Sequence, residues 1–537
     1  MSGRTPSGGR TLSGRLMLPG DRFVRPCQRP PLLSRRELLL ASAATLGAAM
    51  LTGCGSGTEK RVGAADGSTL VSTWGDPAGD GQLRVQPGEP LLARTELGEE
   101  APLRRSLGTL VHLTDAHVLD ASSPARVPFL ARLGKPFQST FRPQEALTVQ
   151  VLAGAVSAIR ALAPDLVIEG GDLIDNDQEN ELAQALGVLG GGEVRPGSGP
   201  DGYYGVQLAS DPDPFYYRPD LDPPRHPGLL RAAVRPLRSP GLDCPWLPVL
   251  GDHDVLVAGE LVPIPLTMAI AVGDRALWTL PEGLSLPSGL ELKPDGSPDG
   301  PLLSGPVQEF LVKALQGPTV RVPPDPARRE LPVGEVIARL RASTAGAPGS
   351  DDRLDYVRDL GERLRLIVLD LASRVGGSGG RIVPGQVEFV ERAIASAGDR
   401  WVIVVSHQTL RQSAGGEQLQ AVLDAAPRVI AVLNGHTHHN RIRSRSTPAG
   451  GHWQIETSSL IDYPQQARAL RIWETEGGGV AIQTWMLDHV APGELGRLGR
   501  IARELSYLDP QGGRPGNFAG SRADRNATLY RAAVGVA

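Results

Sequence analysis

Aspartate and histidine cluster at five points in this chain, at spacings that suit metal coordination. In order these are Asp115-Ala116-His117, Gly171-Asp172-Leu173-Ile174-Asp175, Gly251-Asp252-His253-Asp254, Ser406-His407 and Gly435-His436-Thr437-His438. Carboxylate oxygens and neutral imidazole nitrogens both offer lone pairs to a cation. A mixed nitrogen and oxygen set without thiolate suits Mn, Fe or Zn better than Ca or Mg. Taken singly, each cluster is ambiguous. A lone D-x-H is more often a capped turn, and a short histidine tract is as readily a surface loop as a metal site.

The elements that carry the clusters remove much of that ambiguity. Val429–Leu433 is an apolar run that reads as a buried strand, and Gly435 opens a turn directly after it. Leu107–Thr114 alternates as a strand and ends at Asp115. Apolar residues at helical spacing from Pro143 to Leu162 predict a helix. Asp165–Glu169 is a second strand, ending at the Asp172 cluster. Trp246–Leu250 and Trp401–Val405 are further strands, ending at Asp252 and at His407. Strand, helix, strand predicts parallel crossovers, and such sheets gather ligands beyond the carboxyl ends of their strands. Leu364–Asp370 is another strand. Residues 176–190, Pro384–Ala397, Glu417–Asp424 and 492–507 read as helices. Four short alternating runs between residues 440 and 488 read as antiparallel strands, and the last thirty residues read as poorly ordered.

Two stretches interrupt this pattern. Residues 191–243 carry Tyr203, Tyr204, Phe215, Tyr216 and Tyr217 among Gly, Pro and Asp. They read either as a loop shaping the substrate site or, more simply, as a satellite hydrophobic cluster under a long loop. Residues 255–360, with one helix expected at Val333–Ala342, are too long for a plain loop and suggest a cap subdomain.

The ordered set of D-x-H, GDxxD, GDHD, a strand-ending His and GHTH resembles the calcineurin-like metallophosphoesterase superfamily. Its pattern is D-x-H, GDxxD, GNH[DE], H, GHxH. The resemblance implies an α/β fold, a two-sheet αββα sandwich with long insertions. It implies two metal ions (Mn, Fe or Zn). Asp115, His117 and His438 would hold one; Asp252, His407 and His436 would hold the other, with Asp172 bridging. His253 would act as the outer-sphere acid and Asp254 would orient it. The reaction implied is hydrolysis of a phosphate mono- or diester by direct attack of metal-activated hydroxide. The one departure is Asp252, where the family usually has Asn. Its extra charge should tighten metal binding and weaken the Lewis acidity of the cations. The alternatives are a catalytically spent metal- or phosphate-binding surface lipoprotein and a phosphoprotein phosphatase. Purple acid phosphatases carry Tyr where Asp175 stands. Periplasmic 5′-nucleotidases carry a large C-terminal domain, whereas about 100 residues follow His438.

The N-terminus reads as an address. Arg35-Arg36 precedes an apolar run of about fourteen residues, too short for a span of roughly 20, and resembles a Tat signal. Leu51-Thr52-Gly53-Cys54 resembles a lipobox. The expected organisation is residues 1–54 as signal peptide and 55–105 as tether and N-terminal extension. The metallophosphoesterase domain would span 106–490, with insertions at 191–243 and 255–360, and 491–537 would be a C-terminal helix and tail. The expected product is an exported protein, lipid-anchored to a membrane through Cys54 or secreted, acting on a small phosphate ester. Three cysteines are too few for a disulfide framework. A formal net charge of −4 over 537 residues offers no electrostatic footprint for nucleic acid. His112 is expected in the core and His439 close behind the last ligand. His226, His452 and His489 are expected in structural or surface roles.

Overall fold

The computed structural model describes residues 65–133, 137–279, 281–284, 304–344, 352–510, 512 and 517–535. The address region, with Arg35, Arg36 and Cys54, lies outside the described residues. After a small antiparallel pair, Ser72–Gly75 with Arg84–Pro87, the chain lays down the first strands of its larger sheet, β1 (Leu92–Leu97), β2 (Leu103–Leu113), β3 (Leu166–Glu169) and β4 (Trp246–Pro248). It then builds a separate sheet from β5 (Tyr356–Leu360), β6 (Leu364–Leu369), β7 (Trp401–Ser406), β8 (Val429–Asn434), β9 (Arg441–Arg445) and β10 (His452–Glu456). It returns to the first sheet with β11 (Gln466–Thr475), β12 (Val480–Asp488) and β13 (Ala527–Arg531). The seven-stranded sheet has the order β1-β13-β12-β11-β2-β3-β4, and the six-stranded sheet β5-β6-β7-β8-β10-β9.

Side-chain alternation shows why the two sheets stack. Leu366, Val368, Ile403 and Val405 face the core shared with Leu110, Leu470 and Ile472 of the first sheet. Their neighbours Ile367, Leu369, Val402 and Val404 face the opposite way. A strand buried on both faces needs a cover on each side. Six helices of eight or more residues bear on the argument: α1 (Thr148–Leu162), α2 (Glu179–Gly190), α3 (Val333–Ala342), α4 (Gln386–Ala395), α5 (Gly416–Asp424) and α6 (Gly493–Leu508). Val390 and Ala393 of α4 and Leu419 and Leu423 of α5 cover the outer face of the second sheet. Helices α1, α2 and α6 pack together beside the first, with α1 against β12. The layers are therefore α/β/β/α, as the sequence predicted.

Several local readings change. The helix expected from Pro143 begins at Thr148, after a 3-10 turn at Glu145–Leu147. Strand β2 begins at Leu103, four residues early. The runs after residue 440 are not uniformly antiparallel, because β10 pairs antiparallel to β9 but parallel to β8. Within the last thirty residues, Ala527–Arg531 is a strand and not a loose tail: β13 lies between β12 and β1, with Leu529 fully buried. Its Ala-Thr-Leu-Tyr-Arg alternation is only five residues long and passes easily for a coil. The aromatic run of 203–217 forms a satellite cluster, in which Tyr216 is buried with Phe141 and Trp278, and Tyr204, Phe215 and Tyr217 pack against them.

Candidate metal centre

Each cluster sits just beyond the end of a parallel strand. Asp115 and His117 follow β2, Asp172 follows β3, and Asp252 follows β4; these strands are parallel neighbours. His407 follows β7, while His436 and His438 follow β8, again parallel neighbours. One sheet thus delivers three carboxylates and one imidazole, and the other delivers three imidazoles. The loops bend sharply to do so. Asp115, His117, Asp172, His436 and His438 all have φ between 41° and 64°. Side chains rarely adopt that region, and such strain concentrates at functional sites. Two glycines are required by close approach: a Cβ on Gly251 would stand 2.1 Å from Asp172 Oδ1, and one on Gly435 2.1 Å from Thr114 Oγ1.

The seven candidate ligands converge as two groups, and a third group of His117, Asp172 and His253 overlaps both. Asp115, His117 and His438 form one; Asp172, Asp252, His407 and His436 form the other, with all atoms of each group within 4.8 Å of one another. Each group could hold a metal ion. Asp172 Oδ2 lies 3.0 Å from His407 Nε2 and 3.7 Å from His117 Nε2, which places one oxygen between the two groups. His436 Nδ1 is 3.2 Å from Asp252 Oδ1, and His438 Nε2 is 3.1 Å from Asp115 Oδ1.

The donor set fits cations on chemical grounds. His117 Nε2 and His407 Nε2 are buried and make no well-aligned hydrogen bond, their nearest neighbours being carboxylates of the cluster itself, while the far side of each ring is pinned. His117 Nδ1 donates to Asp175 Oδ1 at 3.0 Å, and His407 Nδ1 to the Gly170 carbonyl at 2.8 Å. That fixes the tautomer and leaves the Nε2 lone pair free to coordinate. Burial alone would raise the Asp115 and Asp252 carboxyls, yet neighbouring imidazoles hold both well below the usual carboxylate range. Burial likewise works against charge on His407 and His438. The carboxylates overcome it, lifting His407 well above its usual value and His438 to about 9. A pocket this rich in carboxylate attracts positive charge.

His253 stands at the rim of this cluster, its ring 4.5 Å from that of His117. Its Nδ1 donates to the Asp175 carbonyl at 2.6 Å, and its backbone N–H donates to Asp172 Oδ1 at 2.9 Å. Burial opposes protonation of this ring, but Asp172 and Asp175 raise its pKa above the ordinary histidine value. Asp254 is a correction. Its carboxylate does not orient His253. It accepts the backbone N–H groups of Gly251, Asp172, Leu173 and Ile174 at 2.8–3.3 Å. Adjacent residues in a tight turn point apart, so the acid clamps two loops together while the imidazole faces the cluster.

Sequence reasoning missed the groups behind the ligands. Asp462 accepts from His438 Nδ1 at 2.6 Å and is itself held by Arg142 Nε at 2.7 Å. Gln408 donates to Asp252 Oδ1 at 2.9 Å. Phe518 meets the ring of His439 edge-on at 4.5 Å, and its carbonyl accepts the Asn440 N–H. The remaining histidines are not among the grouped ligand atoms, although His112 lies close enough to Asp115 and His407 to feel their charge. His112 is buried against Thr457 Oγ1 at 2.9 Å, and burial pushes it down to about 3. His452 and His489 are buried, and His226 lies 3.2 Å from Glu504.

No protein-family model matches the chain, and no curated protein matches it. Among solved structures it is similar to a dimetal phosphatase from Danio rerio. That match has 11% identity, covers 72% of this chain and 98% of the other, and has a TM-score of 0.38. It is also similar to the sulfate thiohydrolase SoxB from Thermus thermophilus, in complex with glycerol. There the identity is 12%, coverage is 76% of this chain and 61% of the other, and the TM-score is 0.27. The chain therefore spans less than two thirds of SoxB. At such values the layered architecture is established by the sheet topology itself.

Proposed function

We propose that this protein is a dinuclear-metal hydrolase of small phosphate mono- or diesters. The observation that carries the reading is the pair of ligand groups meeting at Asp172 Oδ2, one on either side of it. Two cations bound there would supply Lewis acidity and a hydroxide nucleophile at neutral pH. Asp115, His117 and His438 would hold one, and Asp252, His407 and His436 the other, with Asp172 shared. The Asp175 carbonyl holds His253 with its Nε2 edge free, so the ring can give a proton to the departing oxygen. Asp254 would act indirectly, by fixing the loops that present Asp172 and Asp252. The same reading includes export and lipidation at Cys54, supported by the twin arginine and the Leu51–Cys54 motif.

The test is turnover of a phosphomonoester and a phosphodiester, side by side, after loading with Mn, Fe or Zn. His253→Ala serves as the control. Turnover lost in the variant supports the enzyme, and the preferred ester sets its class. Tight metal binding without turnover in any of the three metals would leave a metal-binding protein instead. Loss of membrane association in Cys54→Ala would support the anchor.

A further inference from the structure

His253 is held at its Nδ1 by the Asp175 carbonyl and flanked by the ring of His117. One hydrogen bond leaves an imidazole free to pivot, so the opposite edge of the ring needs a seat of its own. Gly259 provides it. A Cβ on Gly259 would stand 2.4 Å from His253 Cδ2, 2.5 Å from His253 Nε2 and 2.7 Å from Asp252 Oδ2. Only glycine can lie so close, and its φ of 73° is one that other residues rarely adopt. The His253 side chain nevertheless keeps 18% exposure, so the seat does not seal it.

The turn that carries Gly259 is tied on both sides. Val257 and Leu261 exchange backbone hydrogen bonds at 2.9 and 3.1 Å. Ala258, at a φ of 51°, donates its N–H to Asn176 Oδ1 at 2.9 Å. Asn176 belongs to the loop after β3, in the first sheet. The next residue, Glu260, takes the Gly377 N–H on its carbonyl at 2.8 Å and the Ser378 N–H on its carboxylate at 3.1 Å. Those two residues follow β6, in the second sheet. The Ser378 carbonyl accepts Gln408 Nε2 at 3.3 Å, and the same nitrogen donates to Asp252 Oδ1. Both sheets thus hold the turn against the ring.

A methyl group at position 259 must displace either the ring or the turn. The turn is anchored to both sheets, whereas the ring hangs on one hydrogen bond, so the ring is the part that yields. We propose that Gly259 is a positioning residue, which seats His253 with its Nε2 toward the departing oxygen. This rests on the reading of His253 as the proton donor. A displaced ring no longer meets the leaving group at bonding distance, and small misplacements of a reacting group are costly. The simpler account, in which glycine only relieves backbone strain, predicts the same loss whether or not His253 is present.

The test is a double-mutant cycle on the metal-loaded full chain, with a p-nitrophenyl and an alkyl ester of phosphate. At saturating metal, Gly259→Ala should lower kcat on the alkyl ester by about ten-fold or more, and much less on the p-nitrophenyl ester, whose oxygen leaves without a proton. In a His253→Ala background the same substitution should change kcat by less than about three-fold. Glu260→Ala, which loosens the brace and keeps glycine at 259, should repeat the pattern in smaller measure and guards against a folding defect. A crystal structure of Gly259→Ala should show the His253 ring turned off the Asp175 carbonyl with the turn in place. Equal losses in both backgrounds overturn the proposal, as does a displaced turn beside an unmoved ring. If the parent hydrolyses neither ester, the proposed function fails, and the crystal structure alone decides whether Gly259 seats the ring.

Discussion

Asp462 Oδ2 lies 2.6 Å from Nδ1 of His438, and the other oxygen of the same carboxylate receives Arg142. The carboxylate is buried, and although burial favours its protonated form, Arg142 and His438 hold its pKa far below the ordinary value. Asp462 is therefore an anion that sets the ring angle and basicity of a ligand. Asp462→Asn should weaken metal binding by roughly 10–100-fold, the usual effect of removing an outer partner. Metal titration of the folded protein checks this without any assay of turnover.

Asp252 offers a sharper comparison. Its Oδ1 accepts from Gln408 and sits 3.2 Å from His436. Asp252→Asn keeps an oxygen at the same place and removes one charge. Metal affinity should fall by roughly ten-fold or more, while kcat at saturating metal should rise as the cations regain Lewis acidity. A variant that loses kcat at full occupancy would contradict the account of this departure.

His253 and Asp254 are neighbours with separable tasks. His253→Ala should lower kcat by about 100-fold or more and leave metal content and thermal stability near those of the parent. Asp254→Ala strands four backbone N–H groups in the interior. It should cost at least about 3 kcal/mol of stability, read by chemical denaturation, and should lower metal affinity as well.

Burial pushes the Glu330 carboxyl up to about 7, and only one of its oxygens has a partner, the Thr267 hydroxyl at 2.9 Å. An acid whose folded pKa is raised binds its proton more tightly when folded. Its contribution is complete below pH 4.5 and is lost as pH rises through about 7, a change of roughly 3 kcal/mol. Glu330→Gln should therefore gain stability relative to the parent as pH rises across that window, and denaturation midpoints at pH 5 and pH 8 measure the difference.

Strand β13 gives a test of the C-terminal region. Leu529 is fully buried within a seven-stranded sheet. Leu529→Ala should cost about 2–5 kcal/mol, where a loose tail would register almost nothing.

The parts of the site legible in the sequence were those fixed by local pattern. A buried strand announces itself by its apolar run, and the residue types directly after it are its cargo. Asp115, Asp172, Asp252, His407 and His436 all follow that rule. Asp462 does not: it lies 24 positions from His438, in a stretch without helical or strand period, and only the folded chain reveals their pairing. The role of Asp254 was hidden for a different reason, since sequence adjacency to His253 says nothing of which way each side chain points. Strands β1 and β13 were missed because short edge-region strands with arginine on one face carry little hydrophobic signal.

The pairing of β1 with β13 also governs when this molecule can be finished. Within the described residues β1 has β13 as its sole sheet neighbour, and Asn526 reaches back across 437 positions to the Glu89 carbonyl. During synthesis β1 leaves the ribosome early and waits, edge unpaired, until the last strand arrives. So long-range a closure is slow and exposes a bare strand edge to aggregation. The complete fold therefore waits on the emergence of β13, and chaperone dependence should concentrate in the interval before that strand is free to pair.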